Sequence, residues 1–461
     1  MTERKISRLT ATNIVVANMI GTGVFVSLHF QVMSIHSDFA LIFLWVLGGF
    51  LSLCGALCYA ELAVALPRLG GEYNFLSRIY HPSLGFMAGW ISSTVGFPAP
   101  IALAAIAFAQ YLQGSFLFPS PVLFSVTVLD LRAWFPALPP AHLTLDVLGL
   151  ISLAVVWAVT AIHLAGIRSG ERFQNVSTIV KVGLILCLIV AGIFFSQKQP
   201  FNPLPTPSDL GTIFSYPYAI SMFYVMYSFS GWNGASYITS EVRNPEKNVP
   251  WALLIGTLTV TAVYALLNWV FLIAAPRDEL AAQMQVAATA GQHLFSNLGG
   301  RLASGLISFG LIASVSAMTW IGSRVTKAMA DDFAKLRFLG RVNAAGTPNV
   351  AVLLQALIVS ALILTGSFEA VLVYTQFTLL LSSFSAVLGL IVLRIKQPQL
   401  PRPYRVWGYP LTPLIFLVVT LWMMIYSIHD KPVEALLGVA TALAGLLIYF
   451  FIRPASHSLP A

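Results

Sequence analysis

Long apolar runs alternate with short polar segments along the whole chain. Each run has about 20 residues, the length that an α-helix needs to cross ~30 Å of hydrocarbon. The pattern therefore predicts an all-α polytopic membrane protein with twelve transmembrane helices. We number these spans one to twelve, and they cover residues 9–28 (or 9–35), 39–66, 83–112, 144–165, 172–195, 211–240, 250–274, 299–325, 349–366, 369–393, 409–428 and 433–452.

Two longer segments separate neighbouring spans. Residues 113–143 are rich in proline and aromatic residues, and their apolar piece, Pro121–Leu131, is too short to cross a bilayer. We expect this segment to form a loop outside the cell, where it can lie on the membrane surface. Residues 275–298 are expected to form a second outside loop with room for a short helix.

The positive charges indicate how the chain is oriented. If the N-terminus lies in the cytoplasm, nineteen of the 25 lysines and arginines fall on the cytoplasmic side and five fall outside, with Lys181 inside a span. Lysine and arginine are enriched in cytoplasmic loops. The bias predicts that both termini are cytoplasmic. It also supports the division into twelve spans, because one missed span would reverse every later loop.

Composition excludes several other classes of protein. The chain is 57% hydrophobic and 9% charged, whereas soluble domains carry about 25% charged residues. Its net charge of +8 lies in short loops, without a basic face, so no nucleic-acid partner is expected. Cys54, Cys58 and Cys187 fall inside apolar runs, so no disulfide framework is expected. We expect no cofactor and no metal site.

Span one contains an interruption near its middle, Gly21-Thr22-Gly23. Each glycine costs a helix interior about 1 kcal/mol relative to alanine. Broken backbone at membrane depth is tolerated only where it is buried in protein or faces a cavity. Small residues can equally allow close helix packing. A second interruption in span six, Ser228–Gly231, favours the first interpretation, because paired interruptions in two halves indicate a midplane binding site of a secondary transporter.

The two interruptions divide the chain into two copies. Spans one and six open their respective copies and cross the membrane in opposite directions, so the copies would be inverted. The predicted organisation is a cytoplasmic N-terminus (1–8), a first repeat (9–195), a second repeat (211–394), two extra helices (409–452) and a cytoplasmic tail (453–461).

Broken helices offer complementary groups to a zwitterion. The N–H groups around Thr22, Gly23 and Val24 can hold a carboxylate, as helix starts do elsewhere. Unpaired carbonyls near residues 19–20 or 227–228 can accept hydrogen bonds from an ammonium group. An amino acid carries both groups on one carbon. Tyr227, Phe229 and Trp232 are candidates for shaping a side-chain pocket, although ordinary interhelical packing explains such aromatic residues equally well.

Lys181 lies well inside span five, where a charged group is expensive and usually functional. Escape of its ammonium group to the cytoplasm is the structural alternative. The span begins near Arg172, about two and a half turns away, so we expect a buried role facing span one. There the ammonium would replace a coupling cation or release a proton. Glu61, near Arg68, is expected to be an interfacial or structural acid rather than a proton carrier, and His163 to form a hydrogen bond between helices.

Several long motifs resemble those of a known superfamily. They are NMIGTGVFVS, GALCYAELAVALPRLGGEYNFL, FQNVSTIVKVGLIL, YSFSGWNGASYITSEVRNPEKNVPWAL and VLRIKQPQLPRPYRVWGYPLTPLIF. Over residues 9–452 the chain is similar to the amino acid–polyamine–organocation (APC) superfamily, and within it to the L-amino acid transporter-like permeases. The resemblance implies a five-plus-five inverted repeat with discontinuous helices one and six, followed by two extra helices.

The resemblance also implies roles for individual residues. The backbone of Gly21, Thr22 and Gly23 would bind the substrate carboxylate, and carbonyls near Ile20 and Tyr227 would bind the amino group. Tyr227 matches an aromatic gate. The complete candidate set comprises the binding residues Ile20, Gly21, Thr22, Gly23, Val24, Tyr227, Ser228, Phe229, Ser230 and Gly231, the gating or pocket residues Tyr227, Trp232 and Phe97, and the charge at Lys181.

Lys181 matches a lysine that replaces a sodium site in the family, which implies sodium-independent transport by exchange or proton coupling. Animal members join a single-span glycoprotein through a cysteine after span three. Residues 113–143 contain no cysteine, so we expect no disulfide-linked heavy chain and a stand-alone permease of a prokaryotic inner membrane. Thr22 replaces the serine of many relatives, which leaves the choice of substrate open.

The inferred pocket contains no acid and no arginine, which favours small or medium neutral L-amino acids as substrates. The alternative is a cationic amino acid or polyamine exchanger, which would need an acid in the pocket. An intramembrane enzyme is disfavoured because no Asp lies deep in a span and H-E-x-x-H is absent. A channel is disfavoured because no repeated filter or ring of charges is present.

Overall fold

The structure is a computed structural model that describes residues 6–129, 141–196, 199–344, 346–365 and 368–452. In these ranges ten helices are long and apolar enough to cross a membrane. The other two predicted spans, six and nine, contain shorter helices of 13 and 17 residues, of which the one in span nine is apolar. The chain is therefore a multi-pass membrane protein, and its exact number of crossings stays a prediction. The predicted tail, residues 453–461, and most of the predicted N-terminal segment lie outside the described residues.

Span one is two helices rather than one, as its glycines predict. Span two is a continuous helix, capped by the Ser37 hydroxyl, which accepts a hydrogen bond from the Ala40 N–H at 3.1 Å. Span three contains a π-helical turn, Ser92–Gly96. The helices of this part are α1 (Arg8–Met19), α2 (Gly23–Val32), α3 (Asp38–Ala65), α4 (Glu72–Ile79), α5 (Pro82–Ile91) and α6 (Pro98–Phe116).

The segment after span three departs from the all-α prediction. Two antiparallel strands, β1 (Val122–Leu129) and β2 (Ala141–Asp146), pair with each other there. The Asp146 carboxylate then accepts a hydrogen bond from the Gly149 N–H at 2.6 Å and caps the next helix. Spans four and five follow as α7 (Val147–Leu164) and α8 (Ile167–Phe195).

Span six ends early as a regular helix and continues as a 3-10 helix, Gly234–Glu241. The loop predicted at 275–298 contains α12 and the start of α13, which changes direction at Ser296 with φ 63°. A second 3-10 helix covers Ala334–Gly340. The α-helices of this part are α9 (Pro207–Ile213), α10 (Tyr216–Ser228), α11 (Pro245–Ala274), α12 (Arg277–Ala282), α13 (Val286–Asp332), α14 (Asn349–Thr365), α15 (Phe368–Lys396), α16 (Leu411–Asp430) and α17 (Pro432–Ile452).

The interior is formed by the broken spans and the helices packed around them. Helix α13 packs along α6 and α8, while α11 packs along α1 and α3. Large apolar side chains are exposed along α8, α16 and α17, including Ile179, Val418 and Leu436. Exposed apolar surface of this kind is expected where a helix faces lipid.

Ion pairs join segments that are distant in sequence. Glu61 contacts Arg394 at 2.8 and 2.5 Å and accepts a hydrogen bond from the Val406 N–H at 2.7 Å. Arg68, which lies near Glu61 in the sequence, pairs with Asp332 instead. Glu61 itself is fully buried, which agrees with a structural role.

His163 contacts a neighbouring helix, as predicted. Its Nε2 atom lies 2.9 Å from the Ser316 hydroxyl of α13. The three cysteines, Cys54, Cys58 and Cys187, are free thiols.

Candidate functional site

The breaks of spans one and six are packed against each other. A Cβ atom on Gly23 would lie 2.5 Å from the Ser228 Cα, so only glycine allows this approach. Gly231 has φ +97°, a left-handed conformation that favours glycine, and a Cβ there would lie 2.8 Å from the Asn18 Cβ. Each break therefore uses one glycine to approach the other.

A tyrosine from span seven connects the ends of the two broken helices. The Tyr264 hydroxyl lies 2.6 Å from the Met19 carbonyl and 2.9 Å from the Ser228 carbonyl. One hydroxyl has a single hydrogen, so the two carbonyls share it. Tyr264 was not among the predicted residues, because nothing in its local pattern separates it from other aromatic residues of an apolar span.

Lys181 is buried and contacts the end of α1, as its depth in span five predicts. Its Nζ donates to the carbonyls of Ala17 and Ile20 at 3.2 and 2.5 Å, and to the Ser314 hydroxyl at 2.9 Å. Ser314 also donates to the Ile20 carbonyl at 2.8 Å. The ammonium group thus joins the break of span one to span eight.

The carbonyls expected to bind a substrate ammonium already accept hydrogen bonds in this conformation. The Met19 and Ser228 carbonyls share the Tyr264 hydroxyl. The Ile20 carbonyl accepts from the Lys181 ammonium. The Tyr227 carbonyl accepts from the Ser230 N–H at 2.9 Å. Because a carbonyl has two lone pairs, the Met19, Ser228 and Tyr227 oxygens each retain capacity for one further donor. The Ile20 oxygen does not, since it also accepts from the Ser314 hydroxyl.

Two adjoining cavities lie at the breaks. The smaller, of about 10 Å³, is lined by Gly21, Thr22, Gly23, Tyr227 and Ser228. The Thr22 and Tyr227 hydroxyls lie 3.3 Å apart beside it. The two cavities share four lining residues, Asn18, Pro100, Ser230 and Met318.

The larger cavity has a volume of about 50 Å³. It has room for about four waters, since one water needs ~10–15 Å³ of such space. Gly231, Trp232 and Phe97 line it, so these predicted residues come together. Its polar lining residues come from spans one, three, six and ten and are Asn18, Ser92, Ser230, Asn233, Tyr237, Gln376 and Ser383. Among the described residues that line the two cavities, none carries a formal charge.

Four predicted residues line neither of these two cavities: Ile20, Val24, Phe229 and Lys181. Phe229 packs against the Tyr264 ring, with centroids 5.0 Å apart, and so faces spans two and seven. Ile20 and Lys181 act behind the break, through the hydrogen bonds described above.

Several polar residues that line the larger cavity were not among the predicted site residues. Asn18 and Gln376 are amides buried within apolar spans, a signal that sequence alone provides. The Oε1 atom of Gln376 has no hydrogen-bond partner in the part of the chain that the structure describes. Buried polar atoms are normally paired, so the cavity wall has unmet capacity for hydrogen bonds.

The fold and these cavities define a class: helical membrane proteins with an uncharged internal cavity between two broken helices. The amino acid permease family model matches residues 6–451, so the chain belongs to that family, within the APC superfamily. The protein is therefore an amino acid transporter rather than an enzyme.

The chain is also similar over nearly its whole length to individual transporters. It is 28% identical to "Large neutral amino acids transporter small subunit 2" of Homo sapiens, covering 97% of this chain and 80% of the relative. It is 27% identical to "Asc-type amino acid transporter 1" of Mus musculus, covering 97% and 81%. It is 26% identical to "b(0,+)-type amino acid transporter 1" of Mus musculus, covering 97% and 88%.

Proposed function

We propose that this protein is a sodium-independent secondary transporter of small or medium neutral L-amino acids. It works by alternating access, as an exchanger or as a proton-coupled permease. The observation that carries the proposal is the uncharged cavity between the two breaks. An uncharged wall leaves a cationic or acidic side chain without a partner, and burying such a charge unpaired is costly.

The substrate would bind with its ends in different cavities. Its carboxylate would meet the N–H groups of Thr22, Gly23 and Val24 at the start of α2, where the helix dipole favours an anion. Its ammonium would bind at the carbonyls near Ile20 and Tyr227, using the second lone pairs of the Met19, Tyr227 and Ser228 oxygens. Its side chain would enter the larger cavity, beside Phe97, Trp232 and the backbone of Gly231.

Lys181 supports sodium independence. Its ammonium group sits where α1 ends and contacts both span one and span eight, so a fixed positive charge occupies a place where a coupling cation would bind. A buried ammonium group is expensive to keep inside a membrane and usually has a function. Protonation and deprotonation of this group is the alternative that would make the protein proton-coupled.

We further propose an inner-membrane location with both termini cytoplasmic, inverted repeats at 9–195 and 211–394, and no disulfide-linked heavy chain.

Contacts near the N-terminal side agree with a conformation that is closed to the cytoplasm. Ile6 forms a parallel bridge with Val242, and the Arg68–Asp332 pair joins the segment after span two to the end of span eight.

Uptake of labelled L-alanine into proteoliposomes tests this function. Internal L-alanine is present or absent, and sodium and proton gradients are imposed separately. Uptake that requires internal amino acid and ignores both gradients identifies an exchanger, whereas uptake into empty vesicles driven by an inward proton gradient identifies a symporter. Dependence on sodium, or no uptake under any condition, would refute the proposal.

A cationic amino acid exchanger is the second candidate, favoured by one observation. The Glu72 carboxylate lies one hydrogen bond behind the cavity wall, at 2.8 Å from Asn233. Competition of L-lysine with labelled L-alanine distinguishes the two candidates. We expect weak competition for a neutral transporter, and competition as strong as that of unlabelled L-alanine would favour the cationic one.

A further inference from the structure

Glu72 is a buried acid that the proposed transport cycle does not use. It is the first residue of α4, between spans two and three, and is 3% exposed. Its Oε1 accepts hydrogen bonds from the Tyr59 hydroxyl and the Asn233 Nδ2, both at 2.8 Å. Its Oε2 has no partner of good geometry among the described residues, although the Tyr237 hydroxyl interacts with the carboxyl group.

Two glycines just before Glu72 pack against the 3-10 helix of span six. The Gly70 N–H donates to the Tyr237 carbonyl at 3.1 Å. Gly71 has φ +53°, and a Cβ there would lie 2.5 Å from the Tyr237 ring. The start of α4 is thus fixed relative to the cavity wall, so the position of the Glu72 carboxyl is set by the backbone.

The chemistry of the carboxylate fixes the orientation of the Asn233 amide. An ionised carboxylate only accepts hydrogen bonds, so Asn233 must turn its NH₂ group toward Glu72. The same nitrogen lies 3.4 Å from the Tyr237 hydroxyl. The amide oxygen, Oδ1, is therefore directed away from Glu72, and Asn233 lines the larger cavity.

We propose that Glu72 is a positioning residue that holds the Asn233 carbonyl oxygen toward the larger cavity and thereby favours amino acids whose side chains carry a hydrogen-bond donor. The inference rests on the proposed function and narrows its substrate class. The unmet hydrogen-bonding capacity of Gln376 in the same wall supports it. Hydroxyl and carboxamide side chains fit this class, whereas purely aliphatic side chains leave both wall groups unpaired.

The surroundings of Glu72 make the orientation dependent on pH. The titratable groups that face it are the hydroxyls of Tyr59, from α3, and Tyr237. Of the helices that pack against α4, α5 has no charged residue. The Arg394 side chain on α15 is paired with Glu61. Burial raises the pKa of Glu72, and a protonated carboxyl can donate to an amide oxygen, which releases the constraint on Asn233.

The test compares two substrates of nearly the same shape, L-serine and L-2-aminobutyrate, which differ by a hydroxyl in place of a methyl. Their KM values for exchange are measured in proteoliposomes with wild type and Glu72→Gln. We expect wild type to favour L-serine. Because a neutral hydrogen bond contributes about 0.5–1.5 kcal/mol, the preference should fall by about twofold to twelvefold in Glu72→Gln, whose amide can pair with either the oxygen or the NH₂ group of Asn233.

Tyr59→Phe is the matched control. It removes the other hydrogen bond to the same carboxylate oxygen and leaves the acceptor facing Asn233, so the wild-type preference should persist. An equal loss of the preference for L-serine in both variants would show that Glu72 has only a structural role and would overturn the inference. An unchanged preference in Glu72→Gln, or no preference in wild type, would overturn it as well.

A second variant keeps the inference testable if Glu72→Gln is inactive. Asn233→Ala removes the oriented oxygen itself, and the preference for L-serine should collapse with it; a preserved preference would overturn the inference. Failure of the proposed function has a different signature, because wild type would then transport neither L-serine, L-2-aminobutyrate nor L-alanine.

Discussion

Two glycines of the span-one break provide a matched pair of substitutions. At Gly23 an added Cβ would lie 2.5 Å from the Ser228 Cα, whereas at Gly21 the nearest atom would be the Met19 oxygen at 3.9 Å. Nonbonded carbons normally rest about 3.5–4.0 Å apart. Gly23→Ala must therefore push spans one and six apart by about 1 Å, while Gly21→Ala requires no movement.

The expected cost follows from this difference. Overpacking of a tight interior typically costs about 1–3 kcal/mol, so Gly23→Ala should lower stability by that amount. Gly21→Ala should be neutral, or stabilising by up to about 1 kcal/mol through the unfolded chain. Thermal unfolding of the purified protein in detergent measures the stability of each variant, and L-alanine exchange in proteoliposomes measures its activity.

The pair also separates packing from binding. If Gly21→Ala remains stable but loses exchange, the break binds substrate directly; if Gly23→Ala loses both, its effect is explained by packing. A Gly23→Ala protein with wild-type stability and exchange would refute the close approach of the two breaks. Equal destabilisation by both substitutions would refute the argument from Cβ contacts.

Three further substitutions test other contacts of the site. Lys181→Met keeps an unbranched side chain that is one atom shorter and removes the donor to the Ile20 carbonyl. Since a charge-assisted hydrogen bond contributes about 1.5–3 kcal/mol, exchange per reconstituted protein should fall about tenfold or more, and a wild-type rate would contradict this. Tyr264→Phe leaves the Met19 and Ser228 carbonyls without their shared donor and should lower the unfolding temperature. The unfolding temperature would not fall if the Tyr264 ring only packed and its hydroxyl made no hydrogen bond. For Glu72, burial raises the pKa, so wild type should lose stability as pH rises from the ordinary carboxyl pKa through the raised value, whereas Glu72→Gln should lack this slope; parallel pH profiles of unfolding would contradict the buried acid.

Local chemistry explains which parts of the site were predictable. Gly21 and Gly231 are poor helix residues wherever they occur, so both breaks could be located without coordinates. Lys181 could be assigned a buried role because its distance from the end of its own span is a local quantity. The helical segments were predictable for the same reason, since an apolar run of about 20 residues needs a helix to satisfy its backbone in lipid.

Pairings across the fold were not predictable in this way. Glu61 meets Arg394 across 333 positions, and Asn233 meets Glu72 across 161. No local pattern encodes such distances, so the partner of Glu61 could not be named from the sequence. The hairpin after span three did leave a local signal, because Ser125 and Thr127 alternate with apolar residues in β1, the period of two that is typical of a strand.

Helix α8 carries the buried ammonium of Lys181 on one face and exposes apolar side chains on another. Ile179 and Val180, directly beside it in sequence, are exposed on the lipid-facing side, as are Val176 and Val190. A helix of this kind adjusts its tilt to the thickness of the surrounding bilayer, and any change in tilt moves Nζ relative to the Ile20 carbonyl. The contact between Nζ and the Ile20 carbonyl therefore depends on the acyl-chain length of the host lipid. Vesicles of short and long lipids should give this protein different turnover rates.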